Sequence, residues 1–524
     1  MDRITSISHL ICKKNALSQK LTAQDLEKKL HAAADILRKY LNAAENYKLV
    51  LPLLFVKRLN DNFIEIAEKM KKEGLGEKEA YENRRRHTFF VPEKARFSKL
   101  EEAESDVGNK INEVFREIER ANLKLEGILV NAEFANTDKY TDDALREIIK
   151  IFTSLNLGDS NLENEDVFGD AYEYLLEEFA GETKKKGGQF YTPRQVVRLM
   201  VNLVAPKPGM RICDPACGSG GMLIHSRKYI EKNYPNEEVT NLTLEGQETN
   251  PDTFGICKMN LVVHGVTSFN IELGDVLKTP KLLDGGKLKT YDKVLANFPF
   301  SEDWNNTNAA KDPYKRFAYG IPPSKDKADF AFIQHMFSCL NEKGMAAIVA
   351  SQGVLFRGNE EKNIREKMIL GDEKEGLQGD IIESIIGLPP AIFYGTPIPG
   401  CILILNRNKL PERKNKILFY YAAHKDDYLE KPNRNILREE DISKITSAFR
   451  NFEDIDGRCH VADLEEIKEN GFNLNVSRYV DISEPEEIVD IGKTIKELTK
   501  TEEEWKNLDV QVKRDLKELG IDTI

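Results

Sequence analysis

Cysteine is scarce in this chain: seven residues in 524, an odd number, with no C-x-x-C pair. That excludes a disulfide scaffold, and the eight histidines do not cluster with the cysteines, so no zinc-ligand spacing emerges. Long apolar runs are missing too. A membrane helix needs about 18 to 20 consecutive apolar residues. The longest candidate, 381–405, is broken by Glu383, Pro389, Pro390, Gly395, Pro397, Pro399 and Gly400. No charged-then-apolar leader opens the sequence. These absences predict a protein of the reducing cytoplasm, with no metal and no membrane contact. Positive charge is in deficit, with 76 Lys and Arg against 87 Asp and Glu and a net charge of −11. Strong autonomous binding to DNA, which is driven by phosphate neutralisation, is therefore not expected. There is no G-x-x-x-x-G-K-[ST], hence no P-loop motor.

What is present divides into three parts, since 524 residues exceed a single core. Up to about residue 160 the pattern is helical. Leu26, Leu30, Ala33, Leu37 and Leu41 recur at helical spacing, and the apolar stretch from Leu49 to Val56 predicts a buried helix. From about 165 to 410 short apolar strands alternate with helical stretches. Strands are predicted to end near Cys213, Gly246, Gly274, Ala296, Ala350, Leu388 and Leu405, and helices to cover 194–204 and 329–340. That alternation predicts an α/β fold with a doubly wound, mostly parallel sheet. The expected layout is an N-terminal helical domain (1–160), a catalytic domain (161–480) and a C-terminal helical tail (481–524). In the tail, Ile488, Ile491, Ile495 and Leu498, then Trp505, Leu508 and Val512, repeat at the 3–4 spacing of a partner-seeking helix.

Two motifs carry chemistry. Asp214-Pro215-Ala216-Cys217-Gly218-Ser219-Gly220-Gly221 follows a short strand and precedes a helix, the opening of a nucleotide-type fold. Leu223 stands where a dinucleotide fingerprint needs its third glycine, and the leading Asp214 would repel a pyrophosphate. It suits a cationic ligand, and S-adenosylmethionine carries both an ammonium and a sulfonium. Two further acids, Glu248 and Asp275, end the next two predicted strands, where they can accept ribose hydroxyls and the cofactor's adenine amino group. The second motif, Asn297-Phe298-Pro299-Phe300, closes a fourth strand. It sets an amide oxygen, a backbone carbonyl and an aromatic face together, a combination fitted to a planar base with an exocyclic NH2.

With these motifs in place, the chain resembles the modification subunits of type I restriction–modification systems, an N6-adenine DNA methyltransferase family. Gln189-Phe190-Tyr191-Thr192-Pro193 resembles the family segment that helps hold the methionine end of the cofactor. Asp214, Ala216, Gly218, Ser219 and Gly220 match its cofactor loop, Glu248 its ribose-binding strand end, and Asn297 to Phe300 its catalytic tetrapeptide. Residues 89–92 and 471–479 resemble flanking family segments. One departure is Phe298, where Pro is commoner; the role there is a backbone carbonyl's. The resemblance implies methyl transfer from S-adenosylmethionine to N6 of a flipped-out adenine in double-stranded DNA. It also implies a specificity subunit, typically with two modification subunits per specificity subunit, and a restriction subunit in the full complex.

Other features bear on partners. Arg84-Arg85-Arg86 and Lys184-Lys185-Lys186 are local basic runs, the second beside the cofactor segment. The long loop 301–328 interleaves Trp304, Tyr314, Phe317 and Tyr319 with Lys311, Lys315 and Arg316, the composition of a nucleic-acid-contacting lid. The Pro-rich stretch 389–399 is expected to wall the target-base pocket. Competing readings are methyl transfer to protein glutamine N5 or cytosine N4, which the tetrapeptide also suits, and an inactive assembly scaffold.

Overall fold

The computed structural model describes residues 20–38, 43–129, 134–136, 140–164, 166–182, 191–237, 241–300, 302–324, 328–432, 434–482 and 491–519. Leu41, Lys184 to Lys186, Gln189, Phe190 and Ile488 lie outside the described residues. Contacts divide the chain into one unit spanning 1–480 and a second spanning 481–524.

The first unit opens with helices α1 (Ala23–Arg38), α2 (Ala43–Lys72), α3 (Val107–Ala121), α4 (Asp142–Thr153) and α5 (Asp166–Glu182). In α2 the whole stretch Leu49 to Val56 is buried, as its composition predicts. In α3 the apolar positions Ile111, Val114, Phe115 and Ile118 follow helical spacing and are all buried. Each such side chain contributes about 2 kcal/mol through the water-accessible area it removes.

Helices α6 (Arg194–Val204), α7 (Gly221–Asn233), α8 (Pro251–Val263), α9 (Asp329–Ser338), α10 (Glu360–Leu370) and α11 (Glu439–Asn451) flank a nine-stranded sheet. Its strands are β1 (Arg211–Asp214), β2 (Thr243–Glu248), β3 (Asn270–Leu273), β4 (Tyr291–Asn297), β5 (Leu340–Ser351), β6 (Ile382–Gly387), β7 (Gly400–Asn406), β8 (Lys416–Tyr421) and β9 (Cys459–Asp463). The spatial order is β9-β8-β6-β7-β5-β4-β1-β2-β3. Strand β7 runs antiparallel to both β5 and β6, β9 runs antiparallel to β8, and the remaining pairings are parallel. Alternate residues feed opposite faces. Leu295, Ala347 and Val349 join a core with α6, α7 and α11, whereas Val294, Ala296, Ala346 and Ile348 join one with α9 and α10. Burial on both faces is why β4 and β5 read as continuous apolar runs instead of alternating ones.

The doubly wound sheet is as expected, with two corrections. It continues past 410, through β8 and β9, and the aromatic segment 471–479 returns to it by stacking Tyr479 on Phe419 at 3.8 Å. Helix α9 stops at Ser338, so Leu340 begins β5. The helical core also takes in Ile256 and Met259 from α8, so helices and sheet belong to one unit. The second unit contains helix α12 (Ile491–Glu518), on which Ile495, Leu498, Trp505, Leu508 and Val512 are exposed.

Candidate active site

A cavity of about 500 Å³ lies at the carboxyl ends of β1, β2, β3 and β4. The chain winds outward from β1 to β3 and then restarts on the other side of β1 with β4, so the cavity sits at the topological switch point, where open α/β sheets hold ligands.

Strand β1 delivers Asp214, and the turn after it needs left-handed backbone, supplied by Gly218 (φ +52°) and Gly220 (φ +83°). A Cβ on Gly220 would also lie 3.0 Å from the Cys257 sulfur. Asp214 is 2% exposed and accepts the Ala216 N–H at 3.1 Å. Burial, with the nearby Glu248 charge adding to it, pushes its pKa up to about 8. Glu248, at the end of β2, accepts the Gly218 N–H at 3.0 Å and the Asn250 N–H at 2.8 Å. Burial raises its pKa despite these bonds. Asp275 follows β3 and caps its own turn, accepting the Leu277 and Lys278 N–H groups at 2.9 and 3.2 Å. Asp214, Glu248, Asp275, Glu302 and Asp303 face the cavity against Lys278, a balance that suits a cationic ligand.

Strand β4 pairs with β5, with Asn297 opposite Val349, and delivers Asn297 to the same cavity. Its amide nitrogen donates to the Thr192 hydroxyl at 3.0 Å. Its Oδ1 is buried and has no hydrogen-bond partner among the described residues. A buried acceptor without a donor costs free energy, so this oxygen is set to receive an N–H from a ligand. Phe298 is fully buried and stacks on Phe332 at 4.8 Å with the rings 10° apart. Phe300 is half-buried, edge-to-face with Phe298 and with Phe393, each at 6.1 Å.

Of the residues singled out in the sequence, Tyr191, Thr192, Asp214, Ala216, Gly218, Ser219, Glu248, Asp275, Asn297 and Pro299 line the cavity. Pro193 caps α6, Gly220 shapes the turn, and Phe298 and Phe300 stand behind and beside the wall. The 389–399 stretch reaches Phe300 through Phe393 and Tyr191 through Tyr394.

Within the 301–328 loop, the lid expectation is corrected for Arg316, Phe317 and Tyr319. Arg316 is 4% exposed, paired with Asp312 at 2.7 Å and donating to the Val276 and Leu277 carbonyls at 2.9 Å. Phe317 and Tyr319 are buried beside it. The guanidinium pins the loop to the turn after β3, so these aromatics serve packing. Trp304 instead lines the cavity, donating to the Pro323 carbonyl at 2.8 Å. Gln247 was not anticipated. It bonds the Gly274 and Thr279 carbonyls and the Lys281 N–H, and so braces the turn carrying Asp275. A polar residue fully inside a strand is the only sequence signal it offered.

Among the described residues no group of His, Cys, Asp and Glu could hold a metal, and no helix is long and apolar enough to cross a membrane.

Fold and cavity define the class: a doubly wound α/β enzyme in which an acid-lined nucleotide-type turn meets an orphaned amide acceptor, the pairing expected of an amino-group methyltransferase. The N-6 DNA Methylase family model matches residues 163–488, and the HsdM N-terminal domain model matches residues 26–152. The chain is 36% identical to the type I restriction enzyme MjaVII methylase subunit of Methanocaldococcus jannaschii, over 94% of this chain and 84% of that protein. It is 32% identical to the HindI methylase subunit of Haemophilus influenzae, over 79% of this chain and 93% of that one. The crystal structure of a type I restriction-modification system methyltransferase subunit from Streptococcus thermophilus superposes with a TM-score of 0.76 at 30% identity, covering 88% of this chain and all of that one. The chain belongs to the N-6 DNA methylase family, among the methylase subunits of type I restriction enzymes, and is an adenine-specific DNA methyltransferase.

Proposed function

We propose that the cavity binds S-adenosylmethionine beside a flipped-out adenine, and that Asn297 to Phe300 carry the transfer. The acids and the glycine turn fit a ligand bearing an ammonium and a sulfonium. When bound, the cofactor supplies an electrophilic methyl group. The chain's own residues do the rest. The Asn297 Oδ1 and the Phe298 carbonyl accept the two N6 hydrogens, which makes the amino nitrogen a better nucleophile and disperses the charge that develops on it. Phe300, held by Phe298 and Phe393, offers a stacking surface worth about 1–3 kcal/mol. The adenine must leave the duplex to reach this wall. Glu248 accepts the ribose hydroxyls and Asp275 the cofactor's adenine amino group, while Tyr191 and Thr192 close the methionine end, a role that the family resemblance also gives Gln189, Phe190 and Pro193.

One observation carries this reading: the buried Asn297 Oδ1 on the cavity wall, with no partner among the described residues. An inert scaffold leaves that orphan unexplained. The test is tritiated methyl transfer to genomic DNA lacking the modification, followed by digestion to nucleosides. Asn297→Ala should lose N6-methyladenine formation by at least about a hundredfold, as for loss of a transition-state contact, and still bind cofactor in calorimetry. Normal turnover would sink the role.

The same reading assigns 1–160 to partner and DNA-backbone contact, 161–480 to catalysis and 481–524 to association. Double-stranded DNA, a specificity subunit holding two copies of this chain, and a restriction subunit are its partners. The six described cysteines are free thiols, which suits the cytoplasm.

A further inference from the structure

The acids at the strand ends can meet the polar edges of a nucleoside, but a flat base also needs a flat surface. An aromatic ring serves best when it is already held still, because ordering it on binding would cost affinity. Three rings line the cavity: Tyr191, Trp304 and Phe332. Tyr191 packs on Tyr394, and Phe332 stacks on Phe298, next to Asn297. Trp304 stands with the turn that carries Asp275.

We propose that Trp304 is a cofactor-binding residue, its indole face packing on the adenine ring of S-adenosylmethionine while Asp275 reads that ring's amino group. The inference rests on the reading of Asp275 as the acceptor at the adenine end. It gives the loop after the catalytic strand a share in cofactor binding.

The indole is fixed in place. Its Nε1 donates to the Pro323 carbonyl at 2.8 Å, and the Trp304 backbone N–H donates to the Ser324 carbonyl at 2.9 Å. With its one side-chain donor satisfied, Trp304 has only ring surface to offer a ligand. The ring meets Phe317 at 5.1 Å and 51°, and with Leu277 it packs against the small buried cluster of Ala309, Phe317 and Ala331. Val276 and Leu277 follow Asp275 directly and line the cavity with it. Arg316 ties the two segments together, donating to the Val276 and Leu277 carbonyls while its guanidinium lies 5.1 Å over the Phe317 ring. Phe300 is built from other parts of the chain, against Phe298 and Phe393. Two aromatic surfaces with separate supports are what two flat ligands in one cavity require.

The chain has two tryptophans, Trp304 and Trp505. Trp505→Phe in the full chain therefore leaves Trp304 as the sole indole. Titrating that variant with S-adenosylmethionine should change its fluorescence with the midpoint that calorimetry gives for binding. Trp304→Leu, which stays apolar but removes the ring, should weaken binding about tenfold, and Trp304→Phe should recover most of that loss. Fluorescence that stays constant while calorimetry shows binding overturns the inference. So does a Trp304→Leu variant that binds as tightly as the parent; if it also slows single-turnover transfer to DNA at saturating cofactor, the ring serves the target base instead. A Phe variant as weak as the Leu variant overturns it too, since packing of the loop would then be what matters. Failure of the cofactor reading itself looks different: the unaltered chain shows no binding of S-adenosylmethionine in calorimetry, and the Trp304 role falls with it.

Discussion

At the scale of single residues, Asp214 links charge to ligand. Its folded pKa, about 8, stands above the ordinary 3.8, so the free protein holds a proton there that the unfolded chain releases. Between those two values the folded state binds more protons, and the group's contribution to stability falls as pH rises. A cationic cofactor favours the carboxylate, so binding below pH 8 should expel that proton. Affinity for S-adenosylmethionine should therefore rise with pH up to about 8 and then level. Calorimetry in two buffers of different ionisation heat will show the release. Asp214→Asn should abolish the buffer dependence and weaken binding. The position of Asp214 was legible from its sequence neighbours, because an acid before a glycine-rich turn at a strand end has few structural explanations. Its protonation was not, since that depends on Glu248 and on burial, both set by the fold.

At the scale of elements, the strand ends were readable to within about two residues. Fully buried parallel strands are short apolar runs bounded by Gly, Pro, Asn and acids, and the boundaries carry the signal. Strands β8 and β9 escaped because β8 follows a charged segment and β9 sits at the edge with its side chains half exposed. The direction of β7 was equally hidden: pairing between distant segments sets it, not local pattern. Loop 302–324 shows composition misleading in a different way. Aromatics and cations side by side suit a nucleic-acid surface, yet Arg316 turns inward to satisfy two carbonyls and Asp312. His335 is kept neutral, its pKa pushed down to about 3 by burial with the Arg316 charge adding to it, and its Nδ1 accepts from Arg316 at 3.4 Å. Arg316→Ala strands Asp312 and both carbonyls. It should cost about 3 kcal/mol, read as a lower midpoint in urea, and should expose the loop to protease before the sheet unfolds.

For the molecule as a whole, the acid excess and the separate second unit point the same way. A chain of net charge −11 gains little from phosphate contacts alone, which favours the proposed reading that its partners supply much of the grip on DNA. On the proposed reading, the exposed apolar positions of α12, including Trp505 at 68%, are the surface for that association. Removing 481–524 should leave cofactor affinity and the melting of the first unit unchanged while abolishing co-purification with the specificity subunit. Loss of cofactor binding in that truncation would show that the tail supports the catalytic unit instead.

The reversal of β7 has a consequence for how such a chain can change over generations. Because β7 runs antiparallel to β6, the connection between Gly387 and Gly400 turns at the same end of the sheet as Asn297, with β5 between Asn297's strand and Gly400. It meets Phe300 through Phe393 and Tyr191 through Tyr394. Residues can be gained or lost within it without shifting the register of any strand. Changes of length that keep Phe393 and Tyr394 in place leave the ladder that holds the Asn297 amide unchanged, so descendants can vary this edge without rebuilding that strand end.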